Sequence, residues 1–266
     1  MRSLAMLTIT AMLFVTPVFA YSRDEVAAIK QKLQHGVDHT DLAEVLEARS
    51  RFQALAGLEP KASLLPYWVA VADWRASGML LNGPKPDRER ARRHCDAGIA
   101  AATRALELDP KFAGALAVKA GLTGLSTRFV DPASVISLGA QIEEDLSRAH
   151  ALGEDDPRVS LFDGINTLHK PAFVGGGPRP ALARLERAIE QFGAEHVTDA
   201  AAPDWGRDDA YLWAGRASMQ IEDYASARAY FTQALAINPE NGWVRSSLLP
   251  QAESALATAS PAKGEP

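Results

Sequence analysis

DDAYLWAGRASMQIEDYASARAYFTQALAINPEN, residues 208–241, is the stretch that decides the fold. Its apolar and small residues recur every three or four positions, which predicts two helices joined by a short turn. Gly215 and Ala227 are small, so the two helices can cross closely. Phe231 has the size to fill the gap to a neighbouring unit, and Pro239 ends the second helix because it cannot continue it. The stretch therefore predicts a helical hairpin.

The residue types and spacings of this hairpin resemble the tetratricopeptide repeat, in which helix hairpins stack into an α-solenoid. The matching positions are Tyr211, Gly215, Tyr224, Ala227, Phe231, Ala234 and Pro239. This resemblance implies that each hairpin leaves an apolar face which only a neighbouring hairpin can cover. We therefore expect further units elsewhere in the chain.

Two weaker echoes of the repeat precede it. Residues 102–121 contain an Ala-Leu-x-x-Asp-Pro ending followed by a new helix rich in small residues, and residues 147–165 do the same with a few extra residues before the proline. Gly164 stands in the second echo where Gly215 stands in the repeat. We infer three to four degenerate units between residues 59 and 241.

The whole rhythm predicts an all-α chain of stacked antiparallel hairpins with about eleven helices. The predicted helices are 23–35, 40–57, 61–81, 87–108, 112–126, 132–151, 157–169, 178–194, 208–220, 224–237 and 241–257. Residues 21–58 form an additional N-terminal hairpin and residues 59–258 form the repeat domain, whose last helix is expected to cap the array. Residues 259–266 are a short polar tail that we expect to be disordered.

Residues 1–20 predict a secretory signal peptide. Arg2 opens a short positive region, residues 4–18 are an apolar run, and Ala20 completes a cleavage site of small residues. The run is short for a membrane span, although an N-terminal membrane anchor is the alternative. We expect an exported, periplasmic protein without stable membrane insertion after cleavage.

Charge and cysteine content narrow the function classes. The formal net charge is −5 and no basic patch stands out, which argues against a nucleic-acid partner. Cys95 is the only cysteine, so no internal disulfide can form. Its helical spacing with other small and apolar residues predicts a buried side chain, and an intermolecular disulfide or a reactive thiol is the alternative.

A second resemblance is carried by HKPAFVGGGPRPALARLERAIEQF, residues 169–192, and by APDWGRDDA, residues 202–210. Together they resemble exported tetratricopeptide-like bacterial proteins that carry a Pro-x-Phe-Gly-Gly-Gly insertion between the helices of a repeat. Val174 stands between the phenylalanine and the glycines, which departs from that pattern. A looser likeness is to the helical T-component of TRAP-type periplasmic transporters. The resemblance implies a helical repeat fold and no particular activity.

Catalytic and metal-binding patterns do not emerge from the sequence. The glycines 175–177 lack the Gly-Lys-Ser/Thr of a phosphate loop, so we expect them to take positive φ in a long inter-helix loop, or to touch a ligand. His35 and His39 are four residues apart, but Gly36 is expected to interrupt the helix, which favours two solvated turn residues over a metal pair. We expect no enzyme, no cofactor and no metal.

The concave face is the remaining candidate, because the first helix of each hairpin lines it and peptides or partner helices dock there. Arg216 is suited to pair with a carboxylate, and Met219 to make adaptable apolar contact. The predicted binding residues are Asn166, His169, Phe173, Gly175, Gly176, Gly177, Asp209, Leu212, Arg216 and Met219. The tryptophans predicted to fill the gaps between helices, with exposed anchors as the alternative, are Trp68, Trp74, Trp205 and Trp243.

The leading hypothesis is a periplasmic scaffold that binds a protein or peptide of the cell envelope through its concave face. One alternative is an accessory helical subunit of a periplasmic solute transporter that handles a small ligand. The other is an enzyme without a recognisable motif. The sequence leaves the partner and the oligomeric state open.

Overall fold

The structure, a computed structural model, describes residues 22–259, and within them it contains eleven α-helices and no strand. The predicted all-α solenoid is confirmed. The helices are α1 (Arg23–Asp38), α2 (Leu42–Leu58), α3 (Leu64–Asn82), α4 (Arg88–Leu108), α5 (Ala113–Ser126), α6 (Pro132–Leu152), α7 (Pro157–His169), α8 (Pro178–Ala194), α9 (Arg207–Gln220), α10 (Tyr224–Ile237) and α11 (Leu249–Ala259). The predicted signal peptide and residues 260–266 of the predicted tail lie outside the described residues.

Aspartate caps begin many of these helices. Their carboxylates accept hydrogen bonds from backbone N–H groups of the first turn, which have no partner inside the helix. The capping residues of this kind are Asp41, Asp87, Asp131, Asp156 and Asp223. No helix between residues 22 and 259 is long and apolar enough to cross a membrane.

Each helix packs against its neighbour in the chain, and alternate helices form an inner layer. α3 contacts α5, α5 contacts α7, and α7 contacts α9, whereas α4, α6, α8 and α10 lie on the outer side. The crossings within hairpins depend on glycine. A Cβ on Gly164 would lie 2.6 Å from Leu185, and one on Gly215 would lie 2.5 Å from Phe231. The two glycines therefore have the same role in successive units, as their spacing predicts.

The loop at residues 195–206, between α8 and α9, connects the inner layer to the N-terminal helices. The Trp68 indole N–H donates to the carbonyl of Ala201 at 3.0 Å, and the Trp205 indole N–H donates to the Tyr67 hydroxyl at 3.1 Å. Lys30 from α1 donates to two carbonyls of the same loop. Trp68, Trp205 and Trp74 are at most 7% exposed, which confirms their prediction as core.

Two local predictions are corrected. Gly36 does not interrupt α1, which continues to Asp38. A Cβ at position 36 would lie 2.9 Å from the Val45 backbone nitrogen, so this glycine lets α2 approach α1 closely. His35 and His39 are exposed side chains whose rings stack with centroids 4.1 Å apart. The predicted helix at 241–257 is helical from residue 242, but it includes a π-helical turn, Val244–Leu248, before α11.

Cys95 lies fully buried in the core, where its Sγ donates to the Ser77 hydroxyl at 3.4 Å. Burial raises the pKa of this thiol, which keeps it in the less reactive protonated form. The prediction of a buried cysteine is confirmed.

Candidate functional site

Arg216 lies in α9, on the inner layer, with its guanidinium between two indole rings. The guanidinium carbon is 4.2 Å from the ring centroid of Trp213 and 5.3 Å from that of Trp243. Trp213 is three residues earlier on the same helix and therefore shares its face. Trp243 arrives from the turn that precedes α11. Both rings attract the cation through their π faces and hold its plane in place.

The guanidinium of Arg216 has no carboxylate partner among residues 22–259. Within residues 22–259, the contacts that it makes are the two aromatic ones, and it forms neither a hydrogen bond nor an ion pair. Partial burial, together with the positive charge of Arg128, lowers the pKa of Arg216 to about 10, so the group is still cationic at neutral pH. A cation held in a partly dehydrated place without a counter-charge favours the binding of an anion.

Arg128 adds positive charge near Arg216, and His169 adds a titratable imidazole. His169 ends α7, and its ring meets Trp213 edge to face at 5.8 Å between centroids. Partial burial lowers the pKa of His169, and the charges of Arg216 and Arg128 lower it further. Arg128 is exposed in the short turn after α5. Helices α5, α7 and α9 thus end in one cationic cluster, made of Arg128, His169 and Arg216 with Trp213 and Trp243.

Two other predicted binding residues lie one turn from this cluster. Asn166 precedes His169 by three residues and is half-buried, with its amide N–H donating to the Phe162 carbonyl at 2.9 Å. Met219 follows Arg216 by three residues and packs, half-buried, against the apolar cluster of the C-terminal hairpin. Each leaves part of its side chain accessible beside the cationic cluster.

Asp209 and Leu212, also predicted to face a ligand, are instead buried. Asp209 is 4% exposed and accepts two hydrogen bonds from the Arg75 guanidinium. Leu212 is 3% exposed and belongs to the same apolar cluster as Phe231. Arg75 of α3 holds Asp209 in the interior, whereas α10 and the C-terminal segment cover Leu212. The accessible site therefore leaves them out.

The glycine-rich loop folds back on the end of α7. Gly175 and Gly177 have φ of 84° and 107°, as predicted, whereas a Cβ on Gly176 would lie 2.0 Å from the carbonyl oxygen of Lys170. Gly177 donates its backbone N–H to the Thr167 carbonyl at 2.8 Å. Phe173 projects from the loop and is 89% exposed. Its role in binding stays a prediction.

Sequence reasoning missed Trp213 and Arg128 as members of the site. Trp213 could have been predicted, since it stands three residues before Arg216 on a predicted helix and therefore on the same face. Arg128 could not, because its position near α9 depends on how α5, α7 and α9 are stacked. The described residues contain no group of three or more His, Cys, Asp or Glu side chains placed to hold a metal ion.

Comparisons with known proteins agree with the repeat. A Tetratricopeptide repeat family model matches residues 208–241. The fold is similar to that of the HusA haemophore from Porphyromonas gingivalis, with 19% identity and a TM-score of 0.61 over 74% of this chain and 94% of that one. It is also similar to a thermophilic TPR protein of Thermus thermophilus, with 16% identity and a TM-score of 0.57 over 86% of this chain and 98% of that one. A comparison with curated proteins gave no match.

These likenesses show a tetratricopeptide-like helical fold. Repeats of this kind generally mediate protein interactions, and the fold is typical of scaffolds without catalytic activity.

Proposed function

We propose that this protein is a non-catalytic scaffold that binds an acidic protein segment at the cationic cluster of its inner helices. The observation that carries the proposal is the guanidinium of Arg216, which lies between two tryptophans and has no counter-charge in the part of the chain that the structure describes. A carboxylate is the protein group that matches a guanidinium in shape and charge, because it accepts two parallel N–H···O bonds.

The surroundings of Arg216 favour such a ligand in two ways. The indole rings fix the guanidinium before binding, so little side-chain entropy is lost when a carboxylate arrives. Arg128 stands near enough for its charge to affect the same site, which raises the local concentration of acidic segments, and His169 adds to this charge when it is protonated. Met219 supplies a flexible apolar contact for the residue beside the carboxylate.

The proposal includes a compartment and a type of partner. The sequence of residues 1–20 supports export, and a periplasmic or envelope protein with an acidic segment is the expected partner. An accessory role in a solute transporter and an unrecognised catalytic activity are the alternative hypotheses.

Fluorescence anisotropy with a labelled peptide rich in glutamate, and with its glutamine counterpart, tests the proposal. We expect the acidic peptide alone to bind, with an affinity that falls as salt is added. Arg216→Ala should weaken binding by about tenfold or more, since a hydrogen bond to a charged group contributes about 1.5–3 kcal/mol. Arg216→Lys should only partly restore it, because an ammonium does not form the bidentate pair.

The matched control is Arg207→Ala, which removes an exposed arginine from the first turn of the same helix. Equal binding of the two peptides, or an equal loss from Arg207→Ala and Arg216→Ala, would contradict the proposal.

A further inference from the structure

A cleft lies away from the cationic cluster, where the C-terminal half of α6 and the helix α8 flank α7. Its volume is about 560 Å³, enough for a small molecule. The residues that line it are His150, Ala151, Glu154, Ser160, Asp163, Arg184 and Arg187. Almost all of them are polar, and none is a Phe, Tyr or Trp.

Ser160 is the buried polar group of this cleft. The residue is 1% exposed, and its hydroxyl has no hydrogen-bond partner within the described residues. Buried hydroxyls are nearly always hydrogen-bonded, so an unpartnered one in the wall of a cleft indicates a place for a ligand group.

The charged groups of the cleft are fixed and paired. One oxygen of Asp163 accepts from the Arg184 Nε at 3.0 Å and lies 3.1 Å from the Nε2 of His150. The Nη1 of Arg184 donates to the carbonyl of Pro180 at 3.0 Å. The Nη2 of Arg187 makes two long contacts to Glu154, at 3.3 Å to Oε1 and 3.5 Å to the backbone carbonyl. The Nη2 of Arg184 and two nitrogens of Arg187 therefore keep N–H donors free for a ligand.

The balance of charge favours one class of ligand. Arg184 and Arg187 face Asp163 and Glu154, so the formal charges cancel when His150 is neutral. A simple anion would be attracted by the guanidiniums and repelled by both carboxylates. A simple cation would be attracted by the carboxylates and repelled by the guanidiniums. A zwitterion satisfies both signs, because its carboxylate can meet the arginines while its ammonium meets a carboxylate.

We propose that this cleft binds a free amino acid. The α-carboxylate accepts from Arg184, Arg187 and the Ser160 hydroxyl, and the α-ammonium donates to Glu154, whose side chain is 78% exposed and weakly held. The site is for binding and not for hydrolysis, because the Ser160 hydroxyl makes no hydrogen bond to His150 that would activate it. This proposal does not depend on the acidic-segment site.

Titration calorimetry of the full chain with each of the common L-amino acids tests the proposal, with acetate and methylammonium as half-ligands. We expect saturable binding of at least one amino acid and none of either half-ligand at the same concentration. Arg187→Gln should weaken that binding about tenfold or more, the effect of losing one charge-assisted hydrogen bond. Ser160→Ala should also weaken it, because it removes the hydroxyl and introduces no larger group.

Arg104→Gln is the matched control, since Arg104 forms a similarly exposed pair with Glu107 on another outer helix. Circular dichroism establishes that each variant is folded. Three results would overturn the proposal: no binding by any amino acid, equal binding of acetate, or unchanged binding in both Arg187→Gln and Ser160→Ala.

Discussion

The guanidinium of Arg75 in α3 donates two hydrogen bonds to the carboxylate of Asp209 in α9, at 2.7 and 2.5 Å. The two side chains are 11% and 5% exposed, and the guanidinium also lies 4.5 Å from the ring of Trp74 and 5.2 Å from that of Trp205. This pair joins the first and last inner helices of the repeat domain. Around this pair the inner layer is a packed interior. The accessible surface of α9 lies further along the helix, around Arg216.

We expect Arg75→Ala to destabilise the protein by about 3–5 kcal/mol, because it leaves the Asp209 carboxylate buried without its partner. Urea unfolding followed by circular dichroism measures the difference. Arg104→Ala breaks an exposed pair on α4 and should change stability by less than about 0.5 kcal/mol. If the two variants are equally stable, the connection between α3 and α9 does not hold the solenoid together.

A second prediction concerns the helix crossings. Gly215→Ala places a methyl group 2.5 Å from the ring of the fully buried Phe231, so we expect a loss of about 1–3 kcal/mol from overpacking. Gly193→Ala is the matched control, because Gly193 is also helical but nothing lies within 4 Å of the added Cβ. That variant should gain up to about 1 kcal/mol through helix propensity. Thermal unfolding measures both variants. A lower unfolding temperature for Gly215→Ala and a higher one for Gly193→Ala would support the close crossing, and changes of the same sign would contradict it.

The sequence predicted the helices well because their signals are local. Apolar spacing, aspartate caps and prolines fixed most helix ends to within a few residues, and the exceptions are instructive. Gly36 was predicted to break the helix, yet α1 continues through it. The glycine is needed because α2 approaches α1 closely at this position, and that contact cannot be predicted from the sequence of α1 alone. The repeat pattern at 208–241 also predicted correctly that Gly164 and Gly215 are equivalent.

The candidate site was less predictable because it depends on the stacking angle of the hairpins. The spacing of inward-facing positions in the repeat predicted four binding residues, Arg216, His169, Asp209 and Leu212. The sequence alone does not distinguish the accessible ones from the buried ones. Only the packing separates the buried pair from the accessible one, because Asp209 pairs with Arg75 of α3 and Leu212 packs against α10. Trp243 comes from a turn outside the repeat, so no periodicity relates it to Arg216.

A third prediction concerns the dependence of stability on pH. Burial raises the pKa of Asp208, and the neighbouring charge of Asp209 raises it further, against hydrogen bonds from Asn238 and Asn241 that lower it. The ionised form of Asp208 is therefore disfavoured in the folded state. The stability that this carboxyl group contributes is fully present below its ordinary pKa and is lost as the pH rises through its raised pKa in the folded protein.

We accordingly expect Asp208→Asn to be more stable than the wild type at neutral pH, with a difference that shrinks as the pH falls toward about 4, the ordinary range of an aspartate pKa. Each unit of raised pKa corresponds to about 1.4 kcal/mol. Urea unfolding at several pH values measures the difference, and Asp96→Asn, at an exposed site on α4, is the control. A difference that grows as the pH falls would contradict the assigned direction.

The last prediction is the pH dependence of binding at the cationic cluster. Partial burial and the charges of Arg216 and Arg128 hold the pKa of His169 below its ordinary value, so the free protein carries a neutral imidazole at pH 7. A bound carboxylate favours the imidazolium and raises that pKa, which means that binding takes up a proton. Affinity for the acidic peptide should therefore rise as the pH falls through the pKa of the complex, and level off below that of the free protein.

The expected gain is about tenfold for each unit by which the carboxylate raises the pKa of His169. Arg216 does not contribute to this dependence, since its pKa of about 10 keeps it charged throughout the range. His169→Gln should flatten the profile between pH 5 and 8, roughly the range in which histidine titrates, while His196→Gln, on the exposed loop after α8, should leave it unchanged. Anisotropy titrations across that range measure both profiles. A profile equally steep in His169→Gln and the wild type would show that another group takes up the proton, and would remove His169 from the site.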